Sequence, residues 1–124
     1  MAGKRPRFTE NFSANLTAIE EFVAPHSRTA FHRFLDRLFE DVIPTLCRFP
    51  QSGRAFLTRA VKSPKANART KDLRKFLKQG DDLREFIMDD YLALYLIRQR
   101  HVIFLAVKHH RQLSFDLKRF WIDE

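Results

Sequence analysis

Four residues with proton-transfer or anion-binding capability stand side by side late in the chain: Lys108, His109, His110 and Arg111. Imidazole takes up or releases a proton near neutral pH, so His109 or His110 can act as base or acid. Arg84, Lys108 and Arg111 can hold a phosphate through charge-assisted hydrogen bonds. Successive side chains of a strand face opposite ways, so if alternation persists at most one of the two histidines shares a cleft with Arg84. Each residue also has a plainer role. A histidine at a strand end can pack or touch a partner, and Arg84 can pair with Glu85 or Asp89. Tyr91 and Tyr95 share one face of a strand and read as core residues with wet hydroxyls. Cys47 is the single cysteine and cannot close an intramolecular disulfide; no Cys/His spacing fits a zinc site, so neither a metal nor a cofactor is expected.

A second feature is charge. The formal net charge is +8, and the excess lies between residues 51 and 80, where nine lysines and arginines face one acid, Asp72. The rest of the chain is close to neutral. Lys71, Arg74, Lys75 and Lys78 would line one side of a short helix from Thr70 to Gln79, with Leu73, Phe76 and Leu77 on the other side and Gly80 as its stop. Such a block attracts an anionic partner, either nucleic acid or an acidic protein segment, or else it is a solubilising surface.

The elements that must position these groups follow from periodicity. A short extended start is expected from Arg7 to Phe12. Ser13 then caps a helix carrying Leu16, Ile19, Phe22 and Val23, stopped by Pro25. Ser27 caps a second helix whose stripe is Ala30, Phe31, Phe34, Leu35, Leu38, Phe39 and Val42, ending near Pro44 or Cys47. The short link predicts an antiparallel helical hairpin. Phe49 to Arg54 reads as a turn, with Pro50 fixing one dihedral and Gly53 tolerating a positive one. No period holds from Ala55 to Ala68. Leu83–Met88, Tyr91–Arg98 and His101–His109 then have strand length and strand composition, with breaks at Asp89-Asp90 and Gln99-Arg100. The last two are apolar on both alternating faces, so both faces of the sheet should be covered: one by the hairpin, the other by residues 113–121 or the segment before Gly80.

The expected fold class is therefore α+β: an antiparallel sheet, made of a short N-terminal strand and a three-stranded C-terminal meander, packed against an α-helical hairpin. At 124 residues the chain is long enough for one core and short for two, so residues 1–124 are expected to form one domain, with a basic loop and short-helix insertion at about 55–82. Thirteen phenylalanines supply aromatic bulk for that core. Met1 to Arg7 is basic but runs into Phe8-Thr9-Glu10-Asn11, which is no secretory leader, and no apolar run approaches the roughly 18 residues of a membrane helix. A cytoplasmic location without membrane contact is expected.

These features together resemble the RelE/ParE superfamily of bacterial toxins from type II toxin–antitoxin systems. The residues that carry the resemblance are Leu46 after a long second helix, the turn Pro50-Gln51-Ser52-Gly53-Arg54, Leu83-Arg84 opening a strand, the tyrosine-containing strand from Tyr91 to Tyr95, and Val102 to Val107 followed by His109-His110-Arg111. In order and spacing they span about residues 8 to 112. The chain departs from the pattern in the length of Ala55 to Asp82 and in Phe115, which stands where the superfamily's ribosome-dependent nucleases often have a tyrosine; phenylalanine cannot move a proton.

The resemblance implies a plasmid-stabilisation type of toxin that arrests growth and is neutralised by a cognate antitoxin, with operator DNA contacted only through the antitoxin complex. The missing tyrosine favours the branch that binds and inhibits DNA gyrase and is not an enzyme. The alternative is a ribosome-dependent mRNA endoribonuclease, for which His109, His110, Arg111 and Arg84 would be the catalytic set and the ribosome and mRNA the target. Lys71, Arg74, Lys75, Lys78 and Lys108 would bind nucleic acid or antitoxin. A further alternative is a non-toxic basic nucleic-acid-binding module.

Overall fold

β-Branched and aromatic residues at strand length, interrupted only by two-residue breaks, make the second half of the chain a meander. The computed structural model describes residues 3–56 and 77–109, and in it β3 (Asp82–Met88), β4 (Tyr91–Arg98) and β5 (His101–His109) follow one another as antiparallel neighbours. The turns between them hold Asp89 and Gln99 at φ +53°, the left-handed region that tight hairpin turns demand. β1 (Arg5–Phe8) and the two-residue β2 (Arg54–Ala55) complete a five-stranded sheet of order β1-β5-β4-β3-β2.

β1 is shorter and earlier than the expected Arg7–Phe12 segment, and it runs parallel to β5, with Arg5 opposite His101 and Phe8 opposite Phe104. It is an edge strand, where Pro6 costs no internal ladder bond. The chain leaves it through Thr9, which caps α1 (Glu10–Val23) by accepting from the Phe12 N–H at 3.1 Å. Ser13, the expected cap, lies inside that helix. The difference has a physical cause on β5. Leu94 pairs with Ala106 but Tyr95 pairs with Phe104, so Leu105 is an extra residue in β5. A bulge takes its carbonyl out of the ladder. The Thr9 hydroxyl donates to that carbonyl at 3.0 Å, and Asn11 Nδ2 does the same at 3.0 Å. Asn15 Oδ1 accepts from the Val107 N–H at 3.0 Å and from Asn11 Nδ2 at 3.3 Å. Thr9 and Asn11 are buried, and the start of α1 is fixed by what its polar side chains meet across the sheet.

α2 (Arg28–Arg37) is capped by Ser27, which accepts from the Ala30 N–H at 3.0 Å. It continues through a π-helical turn, Leu38–Val42, into α3 (Ile43–Arg48). Pro44 thus lies inside the helical run rather than ending it. A proline ring crowds the carbonyl four residues before it, and widening the preceding turn relieves that contact.

The helices cover one sheet face. Phe12, Ile19, Phe31, Phe34, Leu38, Val42 and Leu46 pack with Met88, Tyr95, Val102, Phe104 and Val107. Phe39 and Phe22, placed on the helical stripes by spacing, are exposed at the edges of this layer; Phe39 faces Phe8 at 6.2 Å between ring centroids. On the opposite face Leu83, Leu94, Leu96, Ile103, Leu105 and Ala106 are buried, with Phe56 and Leu77 packed against them. Both faces are covered, as the two-sided apolar pattern requires. The segments expected to cover the second face lie largely outside the described residues, as does most of the helix expected at 70–79; its described part, Leu77–Gln79, is not helical. Among the described residues no helix is long and apolar enough to cross a membrane.

The bulge clamp is testable by substitution. Thr9→Val keeps the shape of the side chain and removes every hydrogen bond of its hydroxyl, so it should lower stability by about 1–3 kcal/mol. Urea denaturation should show a lower midpoint at an unchanged slope.

Candidate functional site

Arg84 sits on β3 opposite Tyr95 and faces the helical side of the sheet. Its guanidinium helps to build the Pro50–Arg54 turn. Nη1 donates to the Gly53 carbonyl at 2.7 Å and to the Gln51 carbonyl at 3.2 Å, while Nε donates to Asp82 at 2.8 Å. The acid it pairs with is Asp82 rather than Glu85 or Asp89; Glu85 pairs with Arg54 and Asp89 with Arg37. Tyr95 closes the same turn from below. Its hydroxyl donates to the Pro50 carbonyl at 2.6 Å and accepts from the Gly53 N–H at 2.9 Å. Burial pushes the phenol up, although the Gly53 N–H and the Arg84 charge oppose the rise, so it stays protonated and is no general base. Gly53 is required for closeness and not for a positive dihedral: its φ is −81°. A Cβ there would fall against the Tyr95 hydroxyl and 2.5 Å from the Glu85 carbonyl oxygen.

His109 lies at the other end of the sheet, opposite Tyr91. The Leu105 bulge reverses the alternation after Phe104, so Val107 and His109 face the helices and Lys108 faces the other way. The His109 ring meets Tyr91 edge-on at 5.1 Å and Phe22 at 5.4 Å between centroids. It lines an open cleft of about 270 Å³ with His26, Asp90 and Ala30. Burial, then the neighbouring Asp90, raises the Tyr91 phenol. Arg84 and His109 are two strand spacings and four β4 residues apart, roughly 16 Å by sheet geometry. They do not converge. His110, Arg111, Lys71, Arg74 and Lys75 lie outside the described residues, and so does Phe115. No group of three or more metal-ligating side chains occurs among the described residues. The Cys47 thiol is buried and pushed up by that burial, away from nucleophilic thiolate character.

The family model described as the ParE toxin of type II toxin–antitoxin systems, parDE, matches residues 7–114. The chain belongs to the ParE toxin family. A search of curated proteins returns no match. Membership makes it a type II toxin and implies an antitoxin as partner. In this ParE-family chain the turn, Arg84 and Tyr95 are one structural unit. The sequence motifs named these residues without showing that they touch.

Lys78 marks the point where the chain returns to the sheet. Its backbone N–H donates to Asp81 Oδ2 at 2.7 Å, and Arg98 grips the same carboxylate with Nε at 3.0 Å and Nη2 at 2.8 Å. Burial pushes the Asp81 carboxyl up, but the Arg98 and Lys78 hydrogen bonds and positive charges outweigh it and hold the group below its ordinary value. Spacing alone missed this pair. So too it missed a groove lined by Lys4, Arg5, Arg48 and Arg100, residues remote in sequence.

Two outcomes follow. Tyr95→Phe leaves the Gly53 N–H and Pro50 carbonyl without their shared partner and should cost about 1–3 kcal/mol, and Gly53→Ala should cost about as much or more through overpacking, both read by denaturant unfolding. Because its folded pKa is lowered, Asp81 stabilises the protein fully above its unfolded value of about 4 and loses that contribution as pH falls through the folded value. The stability gap between the native chain and Asp81→Asn should therefore be widest near neutral pH and shrink as the pH falls below the unfolded value of about 4.

Proposed function

We propose that this ParE-family toxin arrests growth in the cytoplasm by binding and inhibiting DNA gyrase, and that its antitoxin neutralises it through an acidic or amphipathic segment that folds on binding. The observation that carries the reading is the separation of Arg84 from His109. Phosphodiester cleavage needs a proton-transferring group and transition-state cations around one reacting atom. Here the guanidinium best placed on the sheet is spent on the turn, and the nearest phenols are held protonated. Inhibition by binding needs no such convergence.

The endoribonuclease reading draws on the cleft in which His109 stands with His26 and Asp90. Purified chain separates the two. The gyrase reading expects loss of negative supercoiling by gyrase, accompanied by DNA damage in cells, and no codon-positioned cuts in mRNA on ribosomes. Cuts that vanish when His109, His110 and Arg111 are all replaced by alanine, with supercoiling unaffected, would establish the nuclease instead.

A further inference from the structure

The parallel pairing of β1 with β5 gathers cations that sequence order scatters. Lys4 and Arg5 enter from the N-terminus, Arg100 from the β4–β5 turn and Arg48 from the last residue of α3, and together they line an open groove of about 500 Å³. The groove is built and not incidental. The Lys4 N–H donates to the Cys47 carbonyl and the Arg5 N–H to the Arg100 carbonyl, each at 2.8 Å. Gly3 lies so close to α3 that a Cβ would sit 2.7 Å from the Cys47 carbonyl oxygen. Lys4 Nζ donates to the Gln99 carbonyl.

Among the described residues no acid neutralises these four cations; the ion pairs Arg37–Asp89, Arg54–Glu85, Arg84–Asp82 and Arg98–Asp81 lie elsewhere. The local potential is felt nearby, since partial desolvation and the charges of Arg7 and Arg5 hold the His101 imidazole below its ordinary value. Past Arg48 and Pro50 the surface continues into a second open groove of about 370 Å³ lined by Phe49 and Gln51. Phe49 is 60% exposed.

Arginines with no acid partner among the described residues, beside an exposed aromatic ring, suit a flexible polyanion whose bases are free to stack. A rigid duplex hides its base faces, and an acidic peptide carries no nucleobase to stack on Phe49. We propose that this groove binds single-stranded nucleic acid, with backbone phosphates on Arg5, Arg48 and Arg100 and a base stacked on Phe49. The site is separate from Arg84 and His109, and its existence does not depend on whether gyrase is the target.

Full-length protein is titrated by fluorescence anisotropy with labelled oligo-dT and oligo-rU of about 12 nucleotides, a size within the usual single-strand site range, across a salt series, beside a duplex of equal length and a poly-glutamate peptide. Binding of oligo-dT, oligo-rU or both supports the site, and their ratio tells whether the 2′-hydroxyl is read. Arg48→Ala with Arg100→Ala should reduce the slope of log affinity against log salt by about 1.4, at about 0.7 per phosphate. Phe49→Ala should weaken binding about fivefold or more with little change of slope. All three positions are exposed, and a matched urea midpoint checks the fold. The basic stretch upstream of Gly80 serves as control through Lys71→Ala with Lys75→Ala. Binding that falls only in this control, that prefers duplex and ignores Phe49→Ala, or that is seen only with poly-glutamate overturns the proposal.

Discussion

The one extra residue at Leu105 governs how the two halves of this protein meet. Were Leu105 paired in a regular ladder instead of bulged, β5 would alternate strictly, and Ala106 and Lys108 would face the helices. With the bulge, Leu105 and Ala106 both enter the second core, and Val107 and His109 turn toward the helical layer. A bulge leaves a carbonyl and an amide out of register, and a buried polar group without a partner costs more than a hydrogen bond gains. Thr9, Asn11 and Asn15 supply those partners from α1. The same hydroxyl that caps α1 therefore fixes where the helix begins, how it sits on the sheet, and which face His109 occupies.

A second clamp closes the far side. The turn at Pro50–Gly53 has little apolar surface of its own, and it is held by the Tyr95 hydroxyl and the Arg84 fork. Arginine's planar donors suit two carbonyls and a carboxylate at once, which a lysine point charge cannot satisfy. The Pro50–Arg54 turn and Arg84, two of the features that make the chain resemble its family, are thus explained by construction of the sheet's edge.

Much of this was legible beforehand, for reasons that differ by element. The meander could be read almost to the residue, because strands apolar on both faces with two-residue breaks admit few other arrangements; β4 runs Tyr91–Arg98 and β5 His101–His109 as expected. The Ser27 cap could be read for the same local reason. The start of α1 could not, since Ser13 and Thr9 are equally good caps until the bulge opposite Thr9 is known. The bulge itself leaves no trace in a strand whose faces are both apolar. Of the two expected ends of the second helix, the later one, Cys47, is within one residue of the observed end at Arg48; Pro44 is passed because a π turn precedes it, which spacing does not announce. The basic groove was invisible to any count along the chain, since Lys4, Arg48 and Arg100 meet only through the parallel pairing of β1. Arg84 was identified as important, but its type could not say whether it held a phosphate or a turn.

The proposed inhibition of gyrase requires no acid–base chemistry at His109, whose ring is packed against Phe22 and Tyr91. The most direct test is growth arrest by His109→Gln, expressed without antitoxin at a level matched to the native chain. Glutamine retains much of the bulk and a hydrogen-bonding end but cannot titrate near neutral pH. Undiminished arrest is the expected result. Loss of arrest in a variant of unchanged urea midpoint would contradict the account and return His109 to the chemistry of the toxin.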